Sequence, residues 1–336
     1  MPYQIWNRRY TGSKYKLADW ICGVIDEKCE GKVFCDIFGG TGVLTQRMLD
    51  RMDKIIVNDL LFSNEIVYKA FFIQDSFDIV KLESYKEKFK AFNGSLFKNN
   101  YVSENFGDKF FSMNDALIIG EIREQIEQLH DITEKEKCIL IASLLYSVDK
   151  IANTVGHYEA YIKGHELRDR FQFDLITPYK TNSDIDIYRE DANDLAEALS
   201  CDIVYIDPPY NSRQYSRFYH VLENIATWKK PELFGVALKP KPENMSDYCR
   251  NNAIDAFTDL IEKLNCKYIL VSYNNTYNSK SSSSKNKMAL ENIEAVLKSK
   301  GSVECFEKSH QFFNAGKTDL KDHKELLYLV EVDNER

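Results

Sequence analysis

No apolar run in the 336-residue chain approaches the roughly 20 residues that a membrane-spanning helix needs. The opening segment, Met1 to Arg9, has no apolar signal core. Both absences predict a protein that neither crosses nor anchors in a membrane. The eight cysteines, at 22, 29, 35, 138, 201, 249, 266 and 305, form no Cys-x-x-Cys pair. Several sit inside apolar runs and read as reduced core thiols, which predicts a cytoplasmic protein. The six histidines are unclustered, so no metal site is expected. Basic charge is short as well: 44 Lys and Arg against 52 Asp and Glu leave a formal net charge of −8. A polyanionic partner would therefore have to meet a local basic face rather than the chain as a whole. Local excesses exist at Arg8, Arg9, Lys14 and Lys16, at Lys163, Arg168 and Arg170, and at Lys280, Lys285 and Lys287. Otherwise the composition, 44% hydrophobic and 29% charged, is that of an ordinary globular chain.

What is present is an interrupted strand–helix alternation. After Arg9-Tyr10-Thr11-Gly12-Ser13-Lys14, the residues Leu17, Trp20, Ile21, Val24 and Ile25 recur at the spacing of one buried helix face. A Lys at the start of such a helix does not complement the helix dipole, which points either to an anion facing Lys14, such as a ligand carboxylate, or to a merely exposed Lys. The strand Val33–Phe38 leads into Gly39-Gly40-Thr41-Gly42 and a helix from Val43. Strand, glycine loop and helix begin a nucleotide-binding unit, in which bare backbone and free N–H groups face the ligand. The next strand, Lys54–Asn58, ends at Asp59, where a carboxylate can accept hydrogen bonds from both hydroxyls of an adenosine ribose. Leu44 and Thr45 follow the loop where a full Gly-x-Gly-x-x-Gly needs a third glycine, so this block alone leaves a nicotinamide enzyme open.

From residue 64 to 180 long helical patterns dominate: Ile66–Phe92, Asp115–His130 and Glu134–Ile151. That length is too great for a structureless loop, so we read a helical insert over 64–180 and a core over 1–63 and 181–336. The insert's far end, with Tyr158, Tyr161, Lys163, His165, Arg168, Arg170 and Phe171, has the residue types that contact a polyanion and stack on bases. Strands then return at Ile185–Arg189, Ile203–Ile206, Tyr268–Tyr273, Val303–Phe306 and Leu326–Val332. Seven strands in all predict an α/β, Rossmann-like sheet. No helix is evident between the last two, which should therefore pair antiparallel. Strand ends at Gly39, Asp59, Asp191 and Asp207 are expected at one edge of the sheet. Asp207-Pro208-Pro209-Tyr210 stands out. Prolines end the strand abruptly and present Asp207 and Tyr210 on a stiff loop at its carboxyl end, where open α/β sheets bind ligands.

Taken in order, these blocks resemble the D12 class of adenine-specific DNA methyltransferases, the Dam-like enzymes. Tyr10-Thr11-Gly12-Ser13-Lys14 is similar to the family's amino-terminal cofactor motif. Phe38-Gly39-Gly40-Thr41-Gly42 resembles its glycine loop, Asn58-Asp59 its ribose-binding acid and Glu190-Asp191-Ala192 its adenine-contacting block. Asp207-Pro208-Pro209-Tyr210 matches its catalytic motif in full. Ile37 departs from the Pro of many relatives, and Tyr10 from the Trp of some. The resemblance implies S-adenosylmethionine as cofactor, held by Tyr10, Lys14, Phe38, Gly40, Gly42, Asp59 and Asp191, with Lys14 on its carboxylate and no metal. It implies Asp207, Pro208 and Tyr210 as catalytic groups acting on an adenine flipped out of double-stranded DNA. It makes the helical insert a target-recognition domain. It also implies a restriction–modification setting in a prokaryotic cytosol, with a cognate restriction endonuclease as partner. An RNA adenine methyltransferase is the alternative.

Overall fold

The computed structural model describes residues 3–164, 166–210, 212–275, 287–309 and 324–333. His165, Lys280 and Lys285 of the basic groups lie outside the described residues. The chain divides into two compact units. One comprises Lys14–Leu60, Asn182–Tyr215 and Asn244–Arg336 and holds the sheet; the other comprises Met1–Ser13, Leu61–Thr181 and Ser216–Glu243 and is helical.

The sheet has the seven expected strands: β1 (Val33–Asp36), β2 (Lys54–Asn58), β3 (Asp184–Tyr188), β4 (Ile203–Ile206), β5 (Tyr268–Asn274), β6 (Gly301–Ser309) and β7 (Lys324–Val332). Their order is β3-β2-β1-β4-β5-β7-β6. The first five run parallel, while β7 is antiparallel to both β5 and β6. The short runs Val33–Asp36 and Ile203–Ile206 are strands because both faces are covered, which suits continuous apolar sequence. Phe34, Ile55, Ile203, Tyr205, Leu270 and Leu327 turn to one face, where they meet Ala18, Ile21 and Ile25 of the helix Ala18–Lys28. Cys35, Ile56, Val204, Ile206, Val271 and Tyr328 alternate to the other, against Phe257, Leu260 and Ile261 of the helix Ala253–Lys263 and Ile293 of Leu290–Lys298. Each such side chain contributes about 2 kcal/mol when fully buried. A one-residue slip in any strand would turn its apolar set to the wrong face.

The order reverses direction between β1 and β4, whose register pairs Phe34 with Ile203 and Asp36 with Tyr205. The glycine loop after β1 and the Pro-Pro loop after β4 are thus neighbours at the switch point, the position where open sheets of this kind bind ligands. Asn58 ties three strand ends together there. Its Nδ2 donates to the carbonyls of Ile37 and Glu190, each at 3.1 Å, and its Oδ1 accepts from Glu190 N at 2.9 Å.

The helical unit is larger than the 64–180 stretch read from sequence. Side-chain contacts draw in both flanking segments. Arg8 donates to Asn64 Oδ1 at 2.6 Å, and Thr11 N to the Tyr219 hydroxyl at 2.7 Å. Arg123 donates to the carbonyls of Ile225 and Ala226 at the end of the helix His220–Thr227. The expected helix Ile66–Phe92 is two helices, Phe62–Phe72 and Ile79–Lys90. The break has two causes. Lys135 Nζ takes the carbonyls of Lys69, Ala70 and Ile73 at the end of the first, and Asp78 caps the start of the second. Glu134–Ile151 forms as expected, capped by Thr133 and Glu136. Tyr158 is a packing residue, 1% exposed, donating to Asp149 Oδ1 at 3.0 Å, whereas Lys163, Arg168 and Arg170 are exposed.

Asn58→Ala removes three hydrogen bonds, one buried and two part-buried, and leaves Glu190 N without its acceptor. We predict a loss of about 3 kcal/mol in urea-monitored unfolding. A change under about 0.5 kcal/mol, the size expected at an ordinary surface site, would contradict this role.

Candidate active site

Asp207 follows a strand whose four residues are all buried. Its environment is set by Tyr210, three residues on, and by two side chains from distant parts of the sequence. Lys14 comes from the turn before the helix Ala18–Lys28, not from inside it; its carbonyl accepts from Leu17 N and Ala18 N, both at 2.8 Å. Lys14 Nζ lies 3.0 Å from Asp207 Oδ1 and 3.1 Å from Glu325 Oε1, and donates to the Tyr210 hydroxyl at 2.8 Å. The Tyr210 hydroxyl is 2.6 Å from Asp207 Oδ1 and 3.0 Å from Glu325 Oε1. The anion facing Lys14 is therefore supplied by the chain's own carboxylates. Glu325 reaches this corner because β7 runs against β5, so its first residues arrive where the parallel strands end; Asn274 pairs with Glu325.

Burial governs the electrostatics of the cluster. The side chains of Lys14 and Glu325 are 7% and 4% exposed. Burial pushes the Asp207 carboxyl above the usual carboxylate range; Lys14 pulls against this and Glu325 adds to it. Burial works against the Lys14 charge, yet Asp207 and Glu325 outweigh it and hold the ammonium above its ordinary value. Burial also lifts the Tyr210 hydroxyl well above its ordinary range, so Tyr210 is a donor and not an anion. Its ring meets that of Tyr273 at 4.6 Å and 60°, and its carbonyl accepts from Lys287 N at 2.8 Å. The loop is fixed at both ends. Asp207 retains 17% exposure. No described residue donates to Asp207 Oδ2 or to the Pro208 carbonyl.

The glycine loop beside it is wound tightly. Gly40 and Gly42 take φ of 53° and 75°, the left-handed region that strains other residues. Gly39 N donates to Asn58 O at 2.8 Å, and Gly42 N to Gly39 O at 2.7 Å. Gly40 N donates to Asp59 Oδ2 at 2.9 Å, which holds that carboxylate against the loop. Phe38 is half-buried, its ring edge-on to Tyr248 at 5.0 Å. Asp191 lies past β3, exposed, and its Oδ1 caps the short helix Ala192–Ala196 by accepting from Asn193 N at 2.9 Å. Tyr10 belongs to the helical unit, where its ring stacks on Tyr219 at 4.9 Å. Eight of the sequence-assigned residues (Lys14, Phe38, Gly40, Gly42, Asp59, Asp207, Pro208 and Tyr210) thus sit on the turn before the first helix or at the neighbouring ends of β1, β2 and β4.

Sequence reasoning missed Glu325 and Asp36. Glu325 was passed over because the apolar pattern of the last strand begins one residue later, at Leu326. An acid leading an otherwise apolar strand was the available signal. Asp36 is 2% exposed and accepts from the Thr45 hydroxyl at 2.8 Å. Burial pushes it to about 7, against the pull of Thr45 and with Asp207 and Asp59 adding to the rise.

The comparisons with known proteins agree on one family. The model for D12 class N6 adenine-specific DNA methyltransferases matches residues 10–288. Type II methyltransferase M.FokI of Planomicrobium okeanokoites is 34% identical over 89% of this chain and 48% of its own length. Type II methyltransferase M.NlaIII of Neisseria lactamica is 28% identical over 96% of this chain and 98% of its own. Type II methyltransferase M.CviAII of Paramecium bursaria Chlorella virus 1 is 30% identical, with 96% and 98% covered. The chain therefore spans about half of the first relative and nearly all of the other two.

The Asp36 value gives a prediction. A free Asp carboxyl titrates near 4, so as pH rises the unfolded chain ionises before the folded one does. Stability should fall from about pH 4 to the folded value of about 7 and stay level above it. Asp36→Asn should then stabilise the protein at pH 8 by up to about 4 kcal/mol, with the gain vanishing toward pH 4. Melting curves across that range test this; a gain that does not vary with pH would refute the buried, protonated acid.

Proposed function

This chain belongs to the D12 class of N6 adenine-specific DNA methyltransferases, and we propose that it methylates the exocyclic amine of an adenine within a specific sequence of double-stranded DNA. The observation that carries the mechanism is a pair of acceptors, Asp207 Oδ2 and the Pro208 carbonyl, that no described residue engages, on a loop beside the glycine turn. An adenine amine is a weak nucleophile because its lone pair is delocalised into the ring. Two acceptors for its two hydrogens favour a pyramidal nitrogen with a directed lone pair, by orientation and electrostatics and without a covalent enzyme intermediate. The Pro-Pro backbone fixes where that carbonyl sits. Tyr210 offers a ring for the extruded base to stack on, its hydroxyl anchored away in the Lys14 cluster.

S-adenosylmethionine, when bound, supplies an activated methyl group on a positive sulfonium. The residues present fit its adenosine part. Gly40 and Gly42 lack the Cβ that would crowd a ligand, Asp59 is held against the loop to accept ribose hydroxyls, and Phe38 presents a half-buried ring. Asp191 is exposed for the adenine amine, with its second oxygen free of the helix cap. Tyr10 is assigned to the cofactor through its place in the Tyr10–Lys14 segment. We assign Lys14 to Asp207 rather than to the carboxylate of the donor, because its three N–H bonds have partners in the cluster. For the helical unit we propose target recognition, with exposed Lys163, Arg168 and Arg170 as phosphate contacts. Relatives named as type II methyltransferases support a modification role alongside a restriction endonuclease acting on the same sequence.

Long-read sequencing of DNA from a host that expresses the protein should show modified adenine in one short motif. Modified RNA with unmodified DNA would overturn the substrate. Asp207→Ala should lose at least about 100-fold in single-turnover methylation while cofactor and DNA dissociation constants hold; a fully active variant would sink the mechanism. Asp59→Ala should raise the cofactor dissociation constant about tenfold, the effect of one charge-assisted hydrogen bond. An unchanged constant in calorimetric titration removes Asp59 from the pocket.

A further inference from the structure

We propose that Glu325 is a positioning residue for methyl transfer, sharing Lys14 with Asp207 so that the ammonium does not fully offset the charge of the acceptor, which faces the amine through its other oxygen. The inference rests on the reading of Asp207 as the amine acceptor.

The geometry brings four polar atoms together. Lys14 Nζ has three donors, and the three partners are Asp207 Oδ1, Glu325 Oε1 and the Tyr210 hydroxyl at 3.0, 3.1 and 2.8 Å. With both carboxylates ionised the four groups sum to one net negative charge. Both Lys14 and Tyr210 engage the same Asp207 oxygen, Oδ1. Without Glu325, Lys14 and Asp207 would form a closed neutral pair in a buried corner, where their attraction is strong. The third ammonium donor would then have no acid opposite it and would turn to Asp207 or Tyr210. A carboxylate neutralised in this way is a poor acceptor for the weakly polar N–H of a neutral amine. Glu325 prevents that by holding a share of the cation, and it also anchors the Tyr210 hydroxyl at 3.0 Å.

Other charged and titratable groups face Asp207 from the surrounding elements. Tyr205 on β4 is bound to Ser272, Asp36 closes β1, and Tyr273 on β5 donates to the Tyr210 carbonyl. None of these bridges Lys14 and Tyr210 as Glu325 does. The position also explains why a glutamate occurs at a 4% exposed site on the edge of an apolar strand.

The test is the pH profile of single-turnover methylation on duplex DNA with S-adenosylmethionine. Asp207 must be ionised to accept, so the acid limb reports its protonation. Glu325 raises that proton affinity and Lys14 lowers it. Glu325→Gln should therefore move the acid limb to lower pH and slow the neutral rate about tenfold through a weakened, misplaced acceptor. Lys14→Met should move the limb the other way, and Glu325→Asp, which keeps the charge, should restore its position. Dissociation constants for cofactor and DNA should hold in Glu325→Gln. A Glu325→Gln limb that stays in place would overturn the inference, as would a Glu325→Asp limb no nearer the native one; where the Gln variant does not fold, the Asp and Lys14→Met limbs decide alone. Activity retained in Asp207→Ala would instead overturn the acceptor reading beneath it.

Discussion

Two carboxylates cannot stay buried side by side without a cation, and Lys14 is the cation that lets Asp207 and Glu325 do so. The interaction constrains much of the sheet unit. It needs β4 to deliver Asp207 at its carboxyl end and the turn before the helix Ala18–Lys28 to deliver Lys14. It also needs one strand to arrive from the opposite direction. A wholly parallel sheet would bring only strand carboxyl ends to this edge. The antiparallel β7, inserted between β5 and β6, brings an amino-terminal residue there, and Glu325 is that residue. The topology thus mixes two kinds of strand end at one corner.

The same edge carries the glycine loop, and its stability comes from elsewhere. Gly40 and Gly42 sit in left-handed backbone and give up side-chain packing. The compensation lies in backbone and side-chain hydrogen bonds from β2 and β3, chiefly through Asn58 and Asp59. The apolar faces of the sheet hold the strand ends in register, and the polar ties set the loop conformations. Packing alone would leave the loops undefined. Hydrogen bonds alone would not fix which residues face the edge.

Much of this was legible in the sequence wherever a residue's backbone need is local. Glycines wind the loop after β1, prolines end β4, and short continuous apolar runs mark β5 and β7. Those features mark the seven strands and the residues of the candidate site, and the lack of a helix between the last two strands marks their antiparallel pairing. What was not legible depends on pairing across the chain. The Lys14 and Tyr210 contact spans 196 positions, and that of Tyr210 and Glu325 spans 115. No spacing rule connects them. Helix breaks set by remote groups, such as Lys135 on the end of Phe62–Phe72, were hidden for the same reason. So was the joining of residues 216–243 to the helical unit, which rests on contacts such as that of Arg123 with Ile225.

The acidic composition has to be reconciled with a DNA substrate, and the Lys14 cluster shows how the two fit on the proposed reading. An acceptor must keep negative charge to hold an amine hydrogen, yet exposed negative charge repels phosphate over a Debye length of about 8 Å at physiological salt. Glu325 is 4% exposed and Asp207 17%, and both share one ammonium, so the excess charge is confined and partly neutralised. On that reading the field that a phosphate meets is set by exposed groups, among which we propose Lys163, Arg168 and Arg170. A formal net charge of −8 counts buried and exposed groups alike and hides this distinction. The chemistry is decided by where each charge is held.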